Sequence, residues 1–176
     1  MKLNLGCGYD LKKGWTNLDS SKIQGVDVVW NIENLPLPFD DETCTDILCQ
    51  DVLEHTEYIP ILKDINRILK KEGEVKIRVP HFTSKNNFVD PTHKKMFSIE
   101  TFDFFTHSSI HGRNYYFDFS FSSISQRTIT FQKGFHIHNY VMEWVINLNT
   151  RIMNIYENTF LSRIFPALNI EVTLVK

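Results

Sequence analysis

The sequence lacks the long apolar run of a transmembrane helix. No stretch of its 176 residues approaches the roughly 18 consecutive apolar residues of a membrane span. The N-terminus also lacks the long apolar stretch of a signal peptide. We therefore expect a protein with no membrane span.

An excess of positive charge is also missing. The 19 lysines and arginines are outnumbered by 21 aspartates and glutamates, giving a net charge of −2. Proteins that bind duplex nucleic acid usually neutralise phosphates with a strong basic excess. The balance therefore predicts no nucleic acid partner.

Cysteine is scarce and shows no pairing pattern. The three residues, Cys7, Cys44 and Cys49, are odd in number and form no CxxC pair. Persistent disulfides belong to oxidising compartments, so reduced thiols and a cytoplasmic location are expected.

What is present is typical of a globular domain. The hydrophobic fraction is 42% and the charged fraction 23%, close to the averages for soluble domains. No Gly/Ser-rich or Pro-rich linker divides the chain, so residues 1–176 are predicted to form one domain. Residues 82–125 are rich in Phe, Tyr, His and Ser and are interpreted as an insertion.

Hydrophobic periodicity predicts alternating strands and helices. A helix is expected after Thr56 as its cap, with Pro60 in its first turn and a stop at Gly73. Val141, Val145, Leu148, Ile152 and Ile155 are predicted to form one face of a second long helix. Strands are predicted at residues 2–5, 16–18, 26–30, 46–50, 75–79, 127–131 and 170–174.

This order predicts an α/β fold with an open, mostly parallel sheet. One feature is atypical: Lys76 and Arg78 alternate with apolar residues in an interior strand. Doubly covered strands are usually apolar throughout, so one face of the sheet is expected to be thinly covered, or covered by long charged stems.

Polar residues and glycines follow four successive predicted strands. Gly6-Cys7-Gly8 ends the first, Asp19 the second, Asn31 the third and Gln50-Asp51 the fourth. Glycines permit a sharp turn and close approach of a ligand to the backbone. Ligands of open α/β sheets bind at the carboxyl edge, where these positions converge. Asp19 is suited to two ribose hydroxyls and Asn31 to an adenine edge.

Further motifs occur in a fixed order, and with them the chain resembles the class I S-adenosylmethionine-dependent methyltransferases. It is most similar to the compact methyltransferase-type-11 group, whose members begin directly with K-L-N-L-G-C-G. The resemblance covers residues 2–81 and continues weakly beyond them. The matching segments are Leu5-Gly6-Cys7-Gly8, Gly14-Trp15-Thr16-Asn17-Leu18-Asp19, Leu35-Pro36-Leu37-Pro38-Phe39, Asp51-Val52-Leu53-Glu54-His55, Arg67-Ile68-Leu69-Lys70 and Val79-Pro80-His81.

The resemblance implies a Rossmann-like fold with an antiparallel C-terminal strand, and S-adenosylmethionine as cofactor. It also implies a role for each matching position. The glycine loop would line the methionine part, Asp19 the ribose, and Asn31 with Ile32 the adenine. Gln50 would lie beside the methionyl carboxylate and the methyl group, with His55 near that methyl. The complete set of implied cofactor residues is Asn4, Gly6, Cys7, Gly8, Asp19, Asn31, Ile32, Gln50 and His55.

The chain departs from the family pattern in two amides and in one short connection. Asn4 and Asn31 replace the usual acidic residues, which keeps an acceptor oxygen but removes a charge. Only Tyr9 to Trp15 connect the first two strands, where a crossover usually needs about a dozen residues or more. The usual lid helix is missing, so residues 82–125 are predicted to supply the lid over the cofactor.

His81, Asp90 and His93 follow the fifth strand and are the candidate catalytic residues. Histidine is suited to accepting a proton from a hydroxyl near neutral pH. These three residues also resemble a metal-ligand set, but their spacing is not diagnostic, so no metal is predicted. The aromatic residues of the insertion are compatible with core, with a wall against a sugar ring, or with a homodimer surface.

The sequence therefore predicts methyl transfer from S-adenosylmethionine to an oxygen or nitrogen of a small molecule or glycan precursor. The alternative is a non-catalytic S-adenosylmethionine-binding module that acts through a partner protein, which Asn4 and Asn31 keep open. A nicotinamide-dependent dehydrogenase fits poorly, because Leu11 replaces the third glycine of G-x-G-x-x-G.

Overall fold

The structure is a computed structural model and describes residues 1–107, 111–112 and 114–176. Within these residues the chain forms strands, α-helices and short 3-10 turns. The strands are β1 (Lys2–Leu5), β2 (Thr16–Asp19), β3 (Val28–Val29), β4 (Cys44–Gln50), β5 (Leu69–Pro80), β6 (Ser123–Thr130) and β7 (Asn169–Val175). The helices are α1 (Tyr58–Ile68), α2 (Asn86–Val89), α3 (His138–Ile146), α4 (Thr150–Asn158) and α5 (Leu161–Ile164), and the 3-10 turns are Leu53–His55, Thr101–Phe105 and Asn114–Tyr116.

The strands form a seven-stranded sheet in the order β3-β2-β1-β4-β5-β7-β6. Strands β1 to β5 pair in parallel, and β7 is antiparallel to both β5 and β6. Strand order reverses beside β1, which has β2 on one side and β4 on the other. The α/β, Rossmann-like sheet with an antiparallel C-terminal strand is confirmed.

The connections between the first three strands are turns. Residues 6–15 link β1 to β2 and residues 20–27 link β2 to β3, and neither segment contains a helix. The first connection is stabilised by the buried side chain of Asn4. This amide donates hydrogen bonds to Asp10 O at 2.8 Å and to Asn17 Oδ1 at 3.0 Å. A side-chain network therefore replaces the usual crossover helix.

One face of the sheet is consequently open, which explains the charged residues of β5. Lys76 is exposed and Arg78 half-buried, whereas Val75, Ile77 and Val79 are buried on the opposite face. The thin cover expected from the sequence is present, and the helices and the insertion pack on the other face.

Helix α1 differs from its prediction at both ends. Thr56 does not cap it, since its hydroxyl donates to Leu53 O in the preceding 3-10 turn. Gly73 does not end it either, because the chain enters β5 at Leu69. The left-handed residue is Glu72, with φ 62°. Gly73 instead allows the backbone to pack closely against Lys70, because an added Cβ at this position would lie 2.9 Å from Lys70 O.

The single long helix predicted near residues 141–155 is wrong. Helices α3 and α4 are separate, and Asn147 between them bonds to the backbone N–H and C=O of Ile129 in β6. Val141, Leu148 and Ile155 of the predicted apolar face are at least half exposed. The residues that pack inward are Ile146, Met153 and Tyr156.

The aromatic insertion contributes to the core. Phe97, Phe102, Phe105 and Phe121 are buried and belong to the same hydrophobic cluster as the strand residues. Tyr58 of α1 meets Phe97 and Phe105 edge-on, with ring centroids 5.2 and 6.1 Å apart. None of the helices in the described ranges is long and apolar enough to cross a membrane.

Candidate functional site

The glycine loop turns sharply at the end of β1. Gly6 and Gly8 have φ values of 66° and 50°, in the left-handed region that favours glycine. A Cβ at Gly6 would lie 2.4 Å from Val52 Cγ2, so a side chain there would displace the segment after β4. A Cβ at Gly8 would meet open space. The loop therefore packs tightly on one side and leaves room on the other.

Asp19 fixes this loop to the end of β2. Its Oδ2 accepts a hydrogen bond from the Gly8 N–H at 2.9 Å, and its Oδ1 accepts one from the Ser21 N–H at 2.8 Å. The Cys7 N–H donates to Leu18 O, in the same corner. The carboxylate thus lies where the ends of β1 and β2 meet, as the sequence predicted.

The other implied cofactor residues lie nearby in different settings. Asn31 is exposed, and its Oδ1 accepts a hydrogen bond from the Glu33 N–H, while the following Ile32 is buried. Gln50 is half-buried at the end of β4. Asn4 lies beneath the connection to β2, and both its amide hydrogens are used there. In this structure Asn4 is a scaffold of the loop.

A cavity of about 490 Å³ opens at the carboxyl ends of β4 and β5. It brings together part of the predicted set, namely His55, Asp90 and His93. It also contains three residues that the sequence reasoning did not assign to the site, Asp51, Glu54 and Arg78. The lining is completed by Pro80, Asn86, Val89 and Asn169.

Asp51 and Arg78 form one wall of the cavity. Asp51 has a φ of 56°, unusual for a residue with a side chain. Its N–H donates to Arg78 O at 2.9 Å, and its carboxylate pairs with the guanidinium, which donates to it through Nε at 3.0 Å and also through Nη2. The hydrogen bonds to Asp51 raise the pKa of Arg78, which stays charged.

Glu54, His55 and His93 form a cluster in this cavity. One ligand atom from each lies within 4.8 Å of the other two, and the two imidazole rings meet edge-on at 4.6 Å. Burial raises the pKa of Glu54 to about 7. Burial and the neighbouring His55 lower the pKa of His93. The Glu54 carboxyl is therefore poised to exchange a proton near neutral pH, whereas the lowered pKa favours the neutral form of His93.

Asp90 and Thr92 hold His55 from outside the cluster. Asp90 Oδ1 accepts from the Thr92 hydroxyl at 2.6 Å and from the Thr92 N–H at 2.8 Å. The Thr92 Oγ1 lies 2.8 Å from His55 Nδ1. These contacts, led by the Thr92 hydroxyl, lower the pKa of Asp90. Asp90 Oδ2 faces His93 Nε2 at 3.9 Å.

His81 is placed apart from the other two candidate catalytic residues. Its side chain is fully buried, with Nε2 3.0 Å from Glu157 Oε1 and Nδ1 2.7 Å from Thr83 Oγ1. It does not line the cavity that holds His93. The set considered as metal ligands from the sequence, His81 with Asp90 and His93, is therefore not brought together.

The insertion divides between the cavity and α1. Its first part, with Asn86, Val89, Asp90 and His93, borders the cavity. Its later part packs along α1, where Lys63 pairs with Asp118. Phe97, Phe105 and Phe117 contact α1 or one another, and Phe82 contacts His81 and Arg163. A lid over the glycine loop stays a prediction.

Comparison with known proteins identifies part of the chain. Residues 3–77 match the family described as "Methyltransferase domain". An uncharacterized protein of Methanocaldococcus jannaschii, MJ0638, is 38% identical in an alignment of 86 residues, and the match covers 42% of this chain and 37% of that protein. The chain thus spans well under half the length of this curated relative.

Solved structures share the whole fold. A SAM-dependent methyltransferase from Archaeoglobus fulgidus is 20% identical with a TM-score of 0.61, over 99% of this chain and 85% of the other. A SAM-dependent methyltransferase from Thermotoga maritima is 15% identical with a TM-score of 0.58, over 99% and 81%. The chain therefore matches a methyltransferase-domain family over residues 3–77 and shares the fold of these solved structures.

Proposed function

We propose that this chain, whose residues 3–77 match a methyltransferase-domain family, transfers the methyl group of S-adenosylmethionine to an oxygen or nitrogen of a small molecule. The observation that carries the proposal is the loop from Gly6 to Gly8, held open beside the carboxylate of Asp19 at the edge where strand order reverses. A glycan precursor is the acceptor class we expect from the family resemblance.

The cofactor is proposed to lie along the carboxyl ends of β1 to β4. Asp19 would accept hydrogen bonds from the ribose hydroxyls, and the glycine loop would adjoin the methionyl group. Asn31 and Ile32 would meet the adenine. A sulfonium already carries a good leaving group, so the chain mainly has to hold donor and acceptor in line.

The acceptor is proposed to enter the cavity beside His55 and His93. When a hydroxyl oxygen attacks the methyl carbon, the carbon–sulfur bond breaks, sulfur keeps the electron pair, and the hydroxyl proton must leave. We place the proton acceptor among Asp90, His55 and His93, because all three line the cavity and the lowered pKa of His93 favours its neutral imidazole. His81 is buried against Glu157 and is not assigned this role.

We also infer a cytoplasmic setting and leave the homodimer as a prediction. Cys7, Cys44 and Cys49 are buried and unpaired. Burial raises the pKa of each thiol, so all three stay protonated at neutral pH. Unreactive thiols of this kind suit a reducing compartment.

Thermal unfolding with three ligands tests the cofactor. S-adenosylmethionine and its demethylated product should raise the melting temperature, because a ligand at 100 times its Kd adds about 2.7 kcal/mol to the native state. NAD is the control and should have no effect. Stabilisation by NAD alone would overturn the proposal. Formation of the demethylated product on addition of hydroxyl or amine acceptors then separates an enzyme from a binding module.

A further inference from the structure

Two buried polar atoms in the cavity lack a hydrogen-bond partner. They are Glu54 Oε2 and His93 Nδ1. Glu54 is 1% exposed, so its carboxylate oxygen is removed from water without compensation. Buried polar atoms are nearly always satisfied, so two orphan atoms in one cavity call for a partner that the surrounding side chains do not supply.

The hydrogen bonds around Thr92 fix the tautomer of His55. The Thr92 hydroxyl donates its hydrogen to Asp90 Oδ1 at 2.6 Å, so Thr92 Oγ1 can only accept from His55 Nδ1. His55 Nε2 therefore carries a lone pair. A metal-bound histidine almost always donates its other ring N–H to a hydrogen-bond acceptor that fixes its orientation, and Thr92 Oγ1, held by Asp90, provides such an acceptor here.

The three side chains are held together by the backbone. The N–H groups of Lys94 and Lys95 donate to Glu54 O at 2.7 and 3.2 Å, which fastens the loop carrying His93 against the turn carrying Glu54 and His55. The cluster is thus built from two segments that are joined directly beside it, and its spacing does not depend on the cofactor.

The charges of the cavity favour a cation. Asp51 and Arg78 pair with each other and add no net charge, whereas Glu54 and Asp90 contribute two further carboxylates. An anionic ligand would face these carboxylates, whereas a cation would relieve the uncompensated burial of Glu54.

We propose that Glu54, His55 and His93 bind one divalent transition-metal cation of the zinc class. Two imidazole nitrogens and one carboxylate oxygen are a donor set that suits Zn²⁺ and its neighbours, whereas Mg²⁺ and Ca²⁺ prefer oxygen ligands alone. Three protein ligands leave a coordination position for water. When the ion is bound, His55 and His93 act as ligands, so in the proposed methyl transfer an acceptor oxygen would take that position and Asp90 would be left to accept its proton. This last point alone rests on the proposed function.

Cobalt(II) titration of the untagged, chelator-treated chain tests the site without cofactor or acceptor. Wild type should bind one Co²⁺ per chain with visible absorption bands of a nitrogen- and oxygen-ligated ion, and Zn²⁺ should abolish them by displacement. Mg²⁺ should not compete. The absence of saturable one-to-one binding would overturn the proposal, and because no cofactor is present this result is independent of methyl transfer.

Variants assign the ligands. Glu54→Gln and His93→Gln each should weaken Co²⁺ binding at least tenfold, and Asp90→Asn should weaken it about tenfold by releasing His55. The matched control is His136→Gln, at an exposed histidine away from the cavity, which should bind as wild type does. Binding that survives both ligand substitutions would contradict the assignment.

Folding of the variants is measured separately. Circular dichroism reports whether each variant is folded, and Zn²⁺ should raise the melting temperature of wild type and of His136→Gln but not of Glu54→Gln. If Glu54→Gln does not fold, His55→Gln replaces it, with the same expected loss. Equal stabilisation of wild type and ligand variants by Zn²⁺ would overturn the proposal.

Discussion

At the scale of single residues, Asp19 has partners in the protein as well as in the proposed complex. Its two oxygens already accept from Gly8 and Ser21. Each carboxylate oxygen can accept more than one hydrogen bond, so ribose hydroxyls would use the remaining capacity. The residue therefore shapes the loop through the same atoms that would contact the cofactor.

Substitution of Asp19 is expected to weaken cofactor binding strongly. Asp19→Ala removes charge-assisted hydrogen bonds of about 1.5–3 kcal/mol, which corresponds to about ten- to a hundredfold in Kd for S-adenosylmethionine. The Kd of Asp19→Asn should lie between those of wild type and Asp19→Ala, because asparagine keeps one acceptor oxygen. Isothermal titration calorimetry measures the Kd for S-adenosylmethionine, and Glu33→Ala, at an exposed position, is the control. An unchanged Kd in Asp19→Ala would refute the ribose role.

Tyr156 predicts a loss of stability at alkaline pH. It is buried, its hydroxyl donates to Phe165 O at 2.7 Å, and burial raises its pKa to about 12. Above pH 10 the unfolded chain releases this proton while the folded chain keeps it, so stability falls as pH rises. The expected loss is about 1 kcal/mol by pH 11.

Urea unfolding between pH 9 and pH 11 measures this loss. Lysines also titrate there, so the informative quantity is the difference between wild type and Tyr156→Phe, which lacks the ionisable group. Tyr9→Phe, at a tyrosine 88% exposed, is the matched control and should retain the wild-type curve. If the free energy of unfolding of wild type and of Tyr156→Phe changes equally with pH, the prediction is wrong.

The sequence was informative about single residues where the backbone imposes the choice. Gly6, Gly8 and Asp19 follow from the strand ends that precede them, and the structure places them at one corner. Glu54 was missed although it lies within a quoted motif. Its significance comes from burial beside His93, which is 39 positions away along the chain and adjacent only after folding.

At the scale of elements, the errors arose where a distant partner overrides local periodicity. Residues 141–155 have the apolar spacing of one helix, but Asn147 pairs with the backbone of Ile129 and divides it. The end of α1 is likewise set by β5, which begins at Leu69 and leaves no room for a glycine cap. Strands β1, β4 and β7 were predictable because their apolar residues alternate or run without interruption.

The junction of α1 with the segment before β4 depends on one buried carboxylate. Asp64 Oδ2 accepts from the Leu37 N–H at 2.7 Å, and Asp64 also accepts from Arg67 Nε at 2.6 Å. Asp64→Ala would leave the buried Leu37 N–H without its acceptor and would remove the buried carboxylate partner of Arg67. We expect the free energy of unfolding to fall by about 3 kcal/mol.

Chemical denaturation of matched variants tests this junction. Asp41→Ala removes another carboxylate from the same Arg67, but Asp41 is 74% exposed, so it should cost less than about 1 kcal/mol. Equal effects of the two substitutions would show that the buried position of Asp64 does not matter.

At the scale of the whole molecule, the aromatic insertion belongs to the main core. Phe97, Phe102 and Phe105 share one hydrophobic cluster with Ile61 of α1 and Ile77 of β5. Sequence composition showed that the segment was unusual but not which helix it would meet. That information lies in pairings such as Lys63 with Asp118, which local patterns do not encode.

We therefore expect one cooperative thermal transition for the whole chain. Elements that share a core lose their packing together, so calorimetric and van't Hoff enthalpies should agree. Differential scanning calorimetry measures both. Two resolved transitions, or a proteolytic fragment that stays folded without residues 82–121, would show that the insertion is a separate unit.

The charged residues on the uncovered face of the sheet have a consequence for how the chain folds. Strand β5 acquires its outer neighbour from far along the sequence, with Glu74 opposite Val175. Closing so large a loop is entropically costly and slow, so the edge of β5 stays unpaired during much of folding. Lys76 and Arg78 place positive charge on that temporary edge, where charge disfavours strand addition by another molecule. We expect these side chains to disfavour aggregation until β7 pairs with β5.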